Sequence, residues 1–245
     1  MSHALALPTR KDEDFRYADL AALAPLWPVP VEEIAVSAGE SRALTITNTG
    51  ADATARELSI RLAPGAKLAL HVLNATSAYG RIAVRAELAE GSEFTFGAAQ
   101  LAGGTATLEI VTQVTHAGPD AVSRQVVRSV AAGSATANYL GKVLVRPGAD
   151  GTDGAQSIRA MLLDRTATAN ARPELEIHAD DVKCAHGCAV GELDANGLFY
   201  LQSRGLTPPE AKRLMLQAFI AEAFTGAAET EALTAAALAA LGDLL

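Results

Sequence analysis

Short segments in which apolar and polar residues alternate follow one another through the central part of the chain. Alternation with a period of two predicts β-strands with one buried face. Glycine-containing and Asp/Asn-containing turns separate the segments, and no long helical pattern lies between them. The predicted strands are ALTIT, LSIRL, LALHVL, RIAVRAEL, EFTFGA, LEIVTQV, VVRSV, ATANYL, KVLVR, IRAMLL and LEIHA.

Such a series of strands is compatible with a sandwich, a barrel or a β-solenoid, whereas parallel α/β folds need helical crossovers. In the second half, VVRSV, KVLVR, IRAMLL, LEIHA and VGEL recur about every 16 residues. The residues between them are small, as narrow stacked coils require. No residue-level repeat signature accompanies this spacing, so the pattern alone leaves both the solenoid and the sandwich open.

The two ends of the chain have different patterns. Residues 1–35 predict an arm with a short helix near Asp14–Leu23, which the following prolines stop. Residues 36–193 form the predicted β core. Residues 194–245 predict helices: Asp194 can cap one through GLFYLQSR, and Thr207 and Glu210 have the spacing of a capping box. We expect these helices either to pack on the core or to offer a docking surface to another protein.

Composition narrows the class of protein. The net charge of −8 argues against nucleic-acid binding, which needs clustered Lys and Arg. Aromatic residues make up 4% of the chain, which favours regular layers of small side chains over a core of large rings. The sequence has no apolar run long enough for a membrane span and no signal-peptide pattern, so a cytoplasmic protein without membrane contact is expected.

The segment DDVKCAHGCAVGELD, residues 180–194, concentrates the candidate chemistry in the sequence. In a strand, Cys184, His186 and Cys188 would project from one face, and thiolates with imidazole are good ligands for zinc or iron. A closed zinc site lacks a second Cys pair, and His178 is the nearest addition. Two interpretations stay open: a corner with small buried cysteines, or a partly open site that another chain completes.

Other candidate residues are weaker. His71 is interpreted as a strand residue and His116 as a turn residue, and the pair Asp180–Asp181 as a solvated turn. The sequence contains neither a nucleophile elbow nor a phosphate-binding loop with Lys-Ser/Thr.

Four segments carry a resemblance to the SufB/SufD family of iron–sulfur cluster assembly proteins. RPELEIHADDVKCAHGCAVGELD at 172–194 resembles the family's Pro-x-Leu-Glu-Ile-x-x-Asp-Asp-Val-Lys-Cys-x-His-Gly segment, and LFYLQSRGL at 198–206 resembles the segment after it. PTRKDEDFRYADL at 8–20 is similar to the arm of SufD members. GADGTDGAQSIRAMLL at 148–163 is similar to the family's Thr-Asp-x-x-Gln coil.

The resemblance implies a right-handed parallel β-helix that acts as a scaffold in a SufBCD complex and is not an enzyme. Its partners would be a SufB-like sister scaffold and the ABC-type ATPase SufC, which alone would bind ATP. His186, with Cys184 as a further candidate ligand, would help to hold a transient iron–sulfur cluster shared with SufB. The implied SufC-docking residues are Leu198, Phe199, Tyr200, Leu201, Arg204, Leu214 and Phe219.

Some features are left open by the resemblance. Cys188 stands where the family pattern would have a small residue, and the N-terminal part is compact. The alternatives are a stand-alone β-helix enzyme acting on carbohydrate and a purely structural partner without a ligand role. The sequence does not decide whether the isolated chain forms a homodimer or whether a flavin binds the complex.

Overall fold

The computed structural model describes residues 6–76 and 78–245. Within these residues, strands dominate the chain from Val31 to Gly191, and helices come after them. The strands are β1 (Val31–Val36), β2 (Ser41–Gly50), β3 (Thr54–Leu62), β4 (Lys67–Thr76), β5 (Tyr79–Leu88), β6 (Glu93–Ala102), β7 (Thr107–His116), β8 (Val122–Ala131), β9 (Thr136–Val145), β10 (Asp153–Leu162), β11 (Thr168–Ile177) and β12 (Lys183–Gly191).

The strands alternate between two six-stranded parallel sheets. The odd sheet has the order β1-β3-β5-β7-β9-β11, and the even sheet has the order β12-β10-β8-β6-β4-β2. Each strand therefore pairs with the strand two positions away in the chain, and one strand from each sheet makes one turn of a parallel β-solenoid. The predicted solenoid is confirmed, and the interval of about 16 residues is the distance between successive strands, half of one turn.

Side chains that point between the two sheets form the core. In β4 and β6, Leu68, Leu70, Phe94 and Phe96 are almost completely buried, and the two phenylalanine rings stack with centroids 6.3 Å apart. Stacking such residues turn upon turn removes their apolar surface from water, which one isolated turn cannot do. The alternating pattern in the sequence results from this burial.

Two local predictions were wrong. ATANYL and KVLVR are parts of one strand, β9, because Gly141 lies within the strand and does not form a turn. His116 is the last residue of β7 and its side chain is buried, so it is not a turn residue. In addition, β1 begins at Val31, within the segment predicted as the arm.

The N-terminal arm packs on the outer face of the odd sheet. It contains a 3-10 turn (Glu13–Phe15), the short helix α1 (Leu20–Leu23) and a second 3-10 turn (Ala24–Leu26). Arg81 and Glu109, each 1% exposed, form an ion pair of 2.6 Å beneath it. The Arg81 guanidinium also lies 4.2 Å from the centroid of the Phe15 ring. This cation–π contact and the burial of Phe15 hold the arm against the odd sheet.

The C-terminal helices cover part of the outer face of the even sheet. They are α2 (Ala195–Ser203), α3 (Pro208–Ala221), a 3-10 turn (Glu222–Phe224) and α4 (Thr230–Gly242). The backbone approaches the sheet closely at Gly97, where a Cβ would lie 2.0 Å from the carbonyl oxygen of Ala223. Arg128 of β8 donates to Glu222 over 2.5 Å and 2.9 Å, which ties the same turn to the sheet.

Candidate functional site

The last turn of the solenoid, formed by β11 and β12, is open. β12 pairs with β10 along one edge and β11 pairs with β9, and no strand of the described residues pairs with the outer edge of either. In earlier turns the inward-facing side chains are buried, whereas residues 185–191 of β12 are all exposed. The end of the solenoid therefore presents both free backbone groups and interior-type side chains to the surroundings.

The structure brings Cys184, His186 and Cys188 to one face of β12, the face that continues the interior of the solenoid. Their register partners on β10 are Gly154, Gln156 and Ile158, respectively. Because neighbouring parallel strands run in register, each of the three side chains stacks over its partner. His186 and Cys188 are exposed and Cys184 is partly buried.

Both cysteines are free thiols. Burial raises the pKa of the Cys184 thiol, which packs against the cluster of Val143, Val145 and Ala149. Burial also raises the pKa of Cys188, whose sulfur lies 3.9 Å from the carbonyl oxygen of Ala171 on β11. The protonated form is thus favoured in the chain alone, and a metal that binds either sulfur has to displace the proton.

A chain of polar side chains continues inward below His186. The Gln156 side-chain amide donates to the Tyr139 hydroxyl over 3.2 Å, and the Thr112 hydroxyl lies 3.1 Å from that of Tyr139. Thr112 in turn donates to the side-chain carbonyl of Gln125 over 2.8 Å. These residues were missed in the sequence, although Gln156 belongs to the segment that resembles the Thr-Asp-x-x-Gln coil.

A second polar pair lies in the same part of the interior. The Nε2 atom of His116 is 2.9 Å from the Ser123 hydroxyl, and burial lowers the pKa of His116 to about 4. At neutral pH His116 is therefore uncharged. Buried polar side chains also lie in earlier turns, where the Asn48 amide donates to Asn74 over 2.8 Å.

The other candidate residues nearby, His178, Asp180 and Asp181, do not lie with Cys184, His186 and Cys188 on the inward face of β12. The His178 ring lies 2.8 Å from the carboxylate of Glu176, and Asp180 and Asp181 lie in the bend between β11 and β12. Across residues 6–76 and 78–245, no three His, Cys, Asp or Glu side chains are arranged to hold a metal ion.

The residues that the resemblance implies for docking the ATPase differ in exposure: some are exposed and others are packed against the core. Phe199, Tyr200 and Leu214 are 74%, 56% and 46% exposed, and the Arg204 guanidinium lies 5.3 Å from the centroid of the Tyr200 ring. In contrast, Phe219 packs with the buried cluster under the helices. Leu198 and Leu201 are partly buried.

Capping fixes where these helices begin. The Asp194 carboxylate accepts from the backbone N–H groups of Asn196 and Gly197, both over 3.1 Å, as the sequence predicts. Glu210 accepts from the backbone N–H and the hydroxyl of Thr207, which confirms the capping box and lowers the pKa of Glu210.

An apolar groove of about 300 Å³ lies between α3 and α4. Leu214, Ala218 and Leu238 are among the side chains that line it. Among the described helices, none is long and apolar enough to cross a membrane.

Similarity to known proteins extends over most of the chain. The family model described as "SUF system FeS cluster assembly, SufBD core domain" matches residues 30–219. The iron-sulfur cluster assembly protein SufD of Escherichia coli is 37% identical over 123 residues, which is 50% of this chain and 29% of that protein. An iron-sulfur cluster assembly SufBD family protein of Synechocystis is 39% identical over 104 residues, 42% of this chain and 23% of that protein.

A plant protein shows the same partial coverage. The chloroplastic protein ABCI7 of Arabidopsis thaliana is 38% identical over 117 residues, which is 47% of this chain and 25% of that protein. The chain thus spans less than a third of the length of each of these three curated relatives in the matched regions.

Proposed function

Because the chain belongs to the SufBD core domain family of the SUF system for FeS cluster assembly, we propose that it is a SufD-like scaffold subunit of a SufBCD-type complex. In this complex the open end of the solenoid pairs with a SufB-like sister scaffold, and the C-terminal helices dock a SufC-type ATPase. The chain itself carries out no reaction; it holds one side of the site where an iron–sulfur cluster is built.

The open last turn is the observation that carries this proposal. A long free strand edge is a template for pairing with another chain, and proteins usually protect it with charge. Residues 184–191 of β12 carry no Asp, Glu, Lys or Arg, whereas β11, the other strand of this turn, carries Arg172, Glu174 and Glu176. An uncharged edge with exposed Val190 and Cys188 favours a partner β-solenoid that continues or abuts this turn.

His186 would donate an imidazole nitrogen to the cluster at this junction. Iron prefers thiolate and imidazole ligands, and the exposed ring of His186 lies between two thiols on the same face. A site with ligands from two chains stays open on one side until the partner closes it. Such a site suits a cluster that must later leave, since the partner can move away. Cys184 is a second candidate ligand and would lose its proton on binding iron.

The exposed aromatic residues of α2 support the docking of the ATPase. Phe199 and Tyr200 on this helix and Leu214 on α3 expose large apolar areas. Aromatic side chains of this kind are typical anchors of protein interfaces. Nucleotide would therefore act on this chain through the SufC-type subunit.

The junction is tested by co-expressing the tagged chain with the SufB-like and SufC-type proteins of its own organism and measuring what co-purifies. Val190→Glu places a carboxylate in the proposed junction, where an uncompensated buried charge costs on the order of 3 kcal/mol. We expect the sister scaffold to bind more than 100-fold more weakly. Val31→Glu is the matched control, because Val31 is 49% exposed on the other end strand and Val190 is 47% exposed. Wild-type recovery of the Val190→Glu complex would place the junction elsewhere.

The ligand role is tested in the same complex with His186→Ala. We expect the subunits to assemble and the visible absorption of the cluster to be lost on reconstitution with iron and sulfide. His178→Ala is the control, since His178 is bonded to Glu176. A normal cluster in His186→Ala would leave a purely structural partner as the function.

The docking of the ATPase is tested with Phe199→Glu, which places a charge on the 74% exposed position of α2. We expect loss of the SufC-type subunit with the sister scaffold retained. Gln202→Glu, on an exposed position of the same helix, adds the same charge without removing an aromatic anchor and should keep both partners. Retention of the ATPase by Phe199→Glu would remove α2 from the docking surface.

A further inference from the structure

Gln156 lies next to His186, one turn further into the solenoid. The two residues are register partners on the adjacent strands β10 and β12, and they share the inward face. Parallel strands lie about 4.8 Å apart, so the ends of two long side chains in register are within reach of each other. Gln156 is 3% exposed, whereas His186 is exposed, so one side chain is fixed by packing and the other is not.

The polar chain below His186 fixes how the Gln156 amide is turned. Its nitrogen donates to the Tyr139 hydroxyl, Tyr139 is then free to donate to Thr112, and Thr112 donates to Gln125. Burial raises the pKa of Tyr139, so the phenol keeps its proton and can act as that donor. In this direction of donation the side-chain oxygen of Gln156 is left as an acceptor.

That acceptor has no partner in the described part of the chain. Among the described residues, the Oε1 atom of Gln156 is one of the buried side-chain atoms without a hydrogen bond. Buried polar atoms are nearly always paired, and an unpaired one in a native fold calls for an explanation. The Nε2 atom of Gln125, one turn deeper, is the other unpaired amide atom in this column and is the competing partner.

The backbone makes room for this arrangement at Gly141. A Cβ on Gly141 would lie 2.0 Å from the Tyr139 hydroxyl, so the phenol can occupy its position because residue 141 is glycine. An apolar residue at 156 would fill the same interior without the unpaired Oε1 atom. The polar chain thus points to a role beyond packing.

A histidine that binds a metal usually donates its second ring N–H to an acceptor, which fixes the tautomer and the orientation of the ring. We propose that Gln156 is a positioning residue for His186: its side-chain oxygen accepts the N–H of one imidazole nitrogen and leaves the other nitrogen free to face the cluster. The Tyr139 hydroxyl holds the Gln156 amide in the accepting orientation. This inference rests on the ligand role proposed for His186, but both side chains belong to this chain, so the contact is testable without iron.

The hydrogen bond is measured on the full-length chain by NMR of the histidine ring nitrogens at mildly alkaline pH. We expect one tautomer to dominate in the wild type, with a ring N–H that exchanges slowly with water. In Gln156→Leu the exchange should be roughly fivefold faster, the factor that one hydrogen bond of ordinary net strength contributes. Gln156→Glu keeps an acceptor oxygen and should restore the slow exchange.

Gln100→Leu is the matched control for changes in stability. Gln100 is also a buried glutamine of the even sheet, and it bonds Ser129 and the carbonyl of Asn138 away from the column. The Gln100→Leu variant should therefore leave the NMR signals of His186 unchanged. Unchanged signals in Gln156→Leu, or a wild-type ring whose nitrogen accepts from Gln156, would overturn the inference.

Cluster formation in the reconstituted complex separates the two proposals. We expect Gln156→Leu to weaken iron retention by about 10- to 100-fold, as loss of the partner of a metal-bound histidine does. If the ring N–H responds to Gln156→Leu but His186→Ala still forms the cluster, the positioning contact is real and the ligand role of His186 is wrong. If His186→Ala abolishes the cluster while Gln156→Leu changes neither readout, the ligand role stands and the positioning role is wrong.

Discussion

Acid should destabilise this protein through His116, and the size of the effect is set by its burial. The pKa of His116 is about 4 in the fold and 6.5 in an unfolded chain. Because the folded value is the lower one, the neutral ring stabilises the fold fully above pH 6.5. This stability is lost as the pH falls from 6.5 to 4. The difference in pKa corresponds to about 3 kcal/mol, of which about 2 kcal/mol is lost by pH 5.

The variant His116→Gln isolates this contribution. Glutamine can still bond the Ser123 hydroxyl but does not titrate, so its free energy of unfolding should fall less between pH 7.5 and pH 5. Urea denaturation at the two pH values, followed by circular dichroism, measures the free energy of unfolding of each form. The wild type should lose about 2 kcal/mol more than the variant over this range.

His178→Gln is the control for the replacement of an exposed histidine by glutamine. Other titrating groups, among them the buried His71, contribute equally to the wild type and to His116→Gln and cancel in the comparison. Equal losses of stability in both forms would refute the reasoning, because the ring of His116 would then be able to protonate inside the fold.

Two further predictions concern the thiols and the buried ion pair. Burial raises the pKa of both cysteines, so alkylation by iodoacetamide should still accelerate above about pH 10, where an unstructured thiol with a pKa of about 8.5 is already almost fully ionised. The exposed Cys188 should react before Cys184, and mass spectrometry at graded times would reveal the opposite order. Arg81→Met leaves the buried carboxylate of Glu109 without its ion-pair partner. The free energy of unfolding, measured by urea denaturation, should fall by about 3–5 kcal/mol. The exposed pair of Arg56 is the control, and Arg56→Met should cost less than about 1 kcal/mol.

The positions of most strands could be predicted from the sequence because alternation is a local consequence of burying one face. The pairing of the strands could not, since β2 and β4 bond each other across the intervening β3 and no local pattern records that choice. The error at β9 has a different origin, which lies within one strand. Gly141 was interpreted as a turn, but its missing side chain provides room for a hydroxyl from the same strand.

The site was predicted in part for the same physical reason. Alternation placed Cys184, His186 and Cys188 on one face, because the period of a strand is fixed by its backbone. The openness of the last turn depends on the absence of a strand paired with the outer edge of β12 among the described residues, and the column under His186 depends on register between distant segments. Gln156 and Tyr139 have no signal in a single sequence that would connect them with His186.

The contacts of the N-terminal arm determine the order in which this protein can be completed during synthesis. The arm is held by Glu109 and Asn138, which accept from or donate to the backbone of Asp19 and Tyr17, and by Arg172, which pairs with Glu13. All three anchors emerge from the ribosome long after the arm itself. Turns of the solenoid can be added one at a time as the chain lengthens, each on the previous one. The arm is therefore made well before these anchors, and the full set of its contacts can form only when β11 is in place.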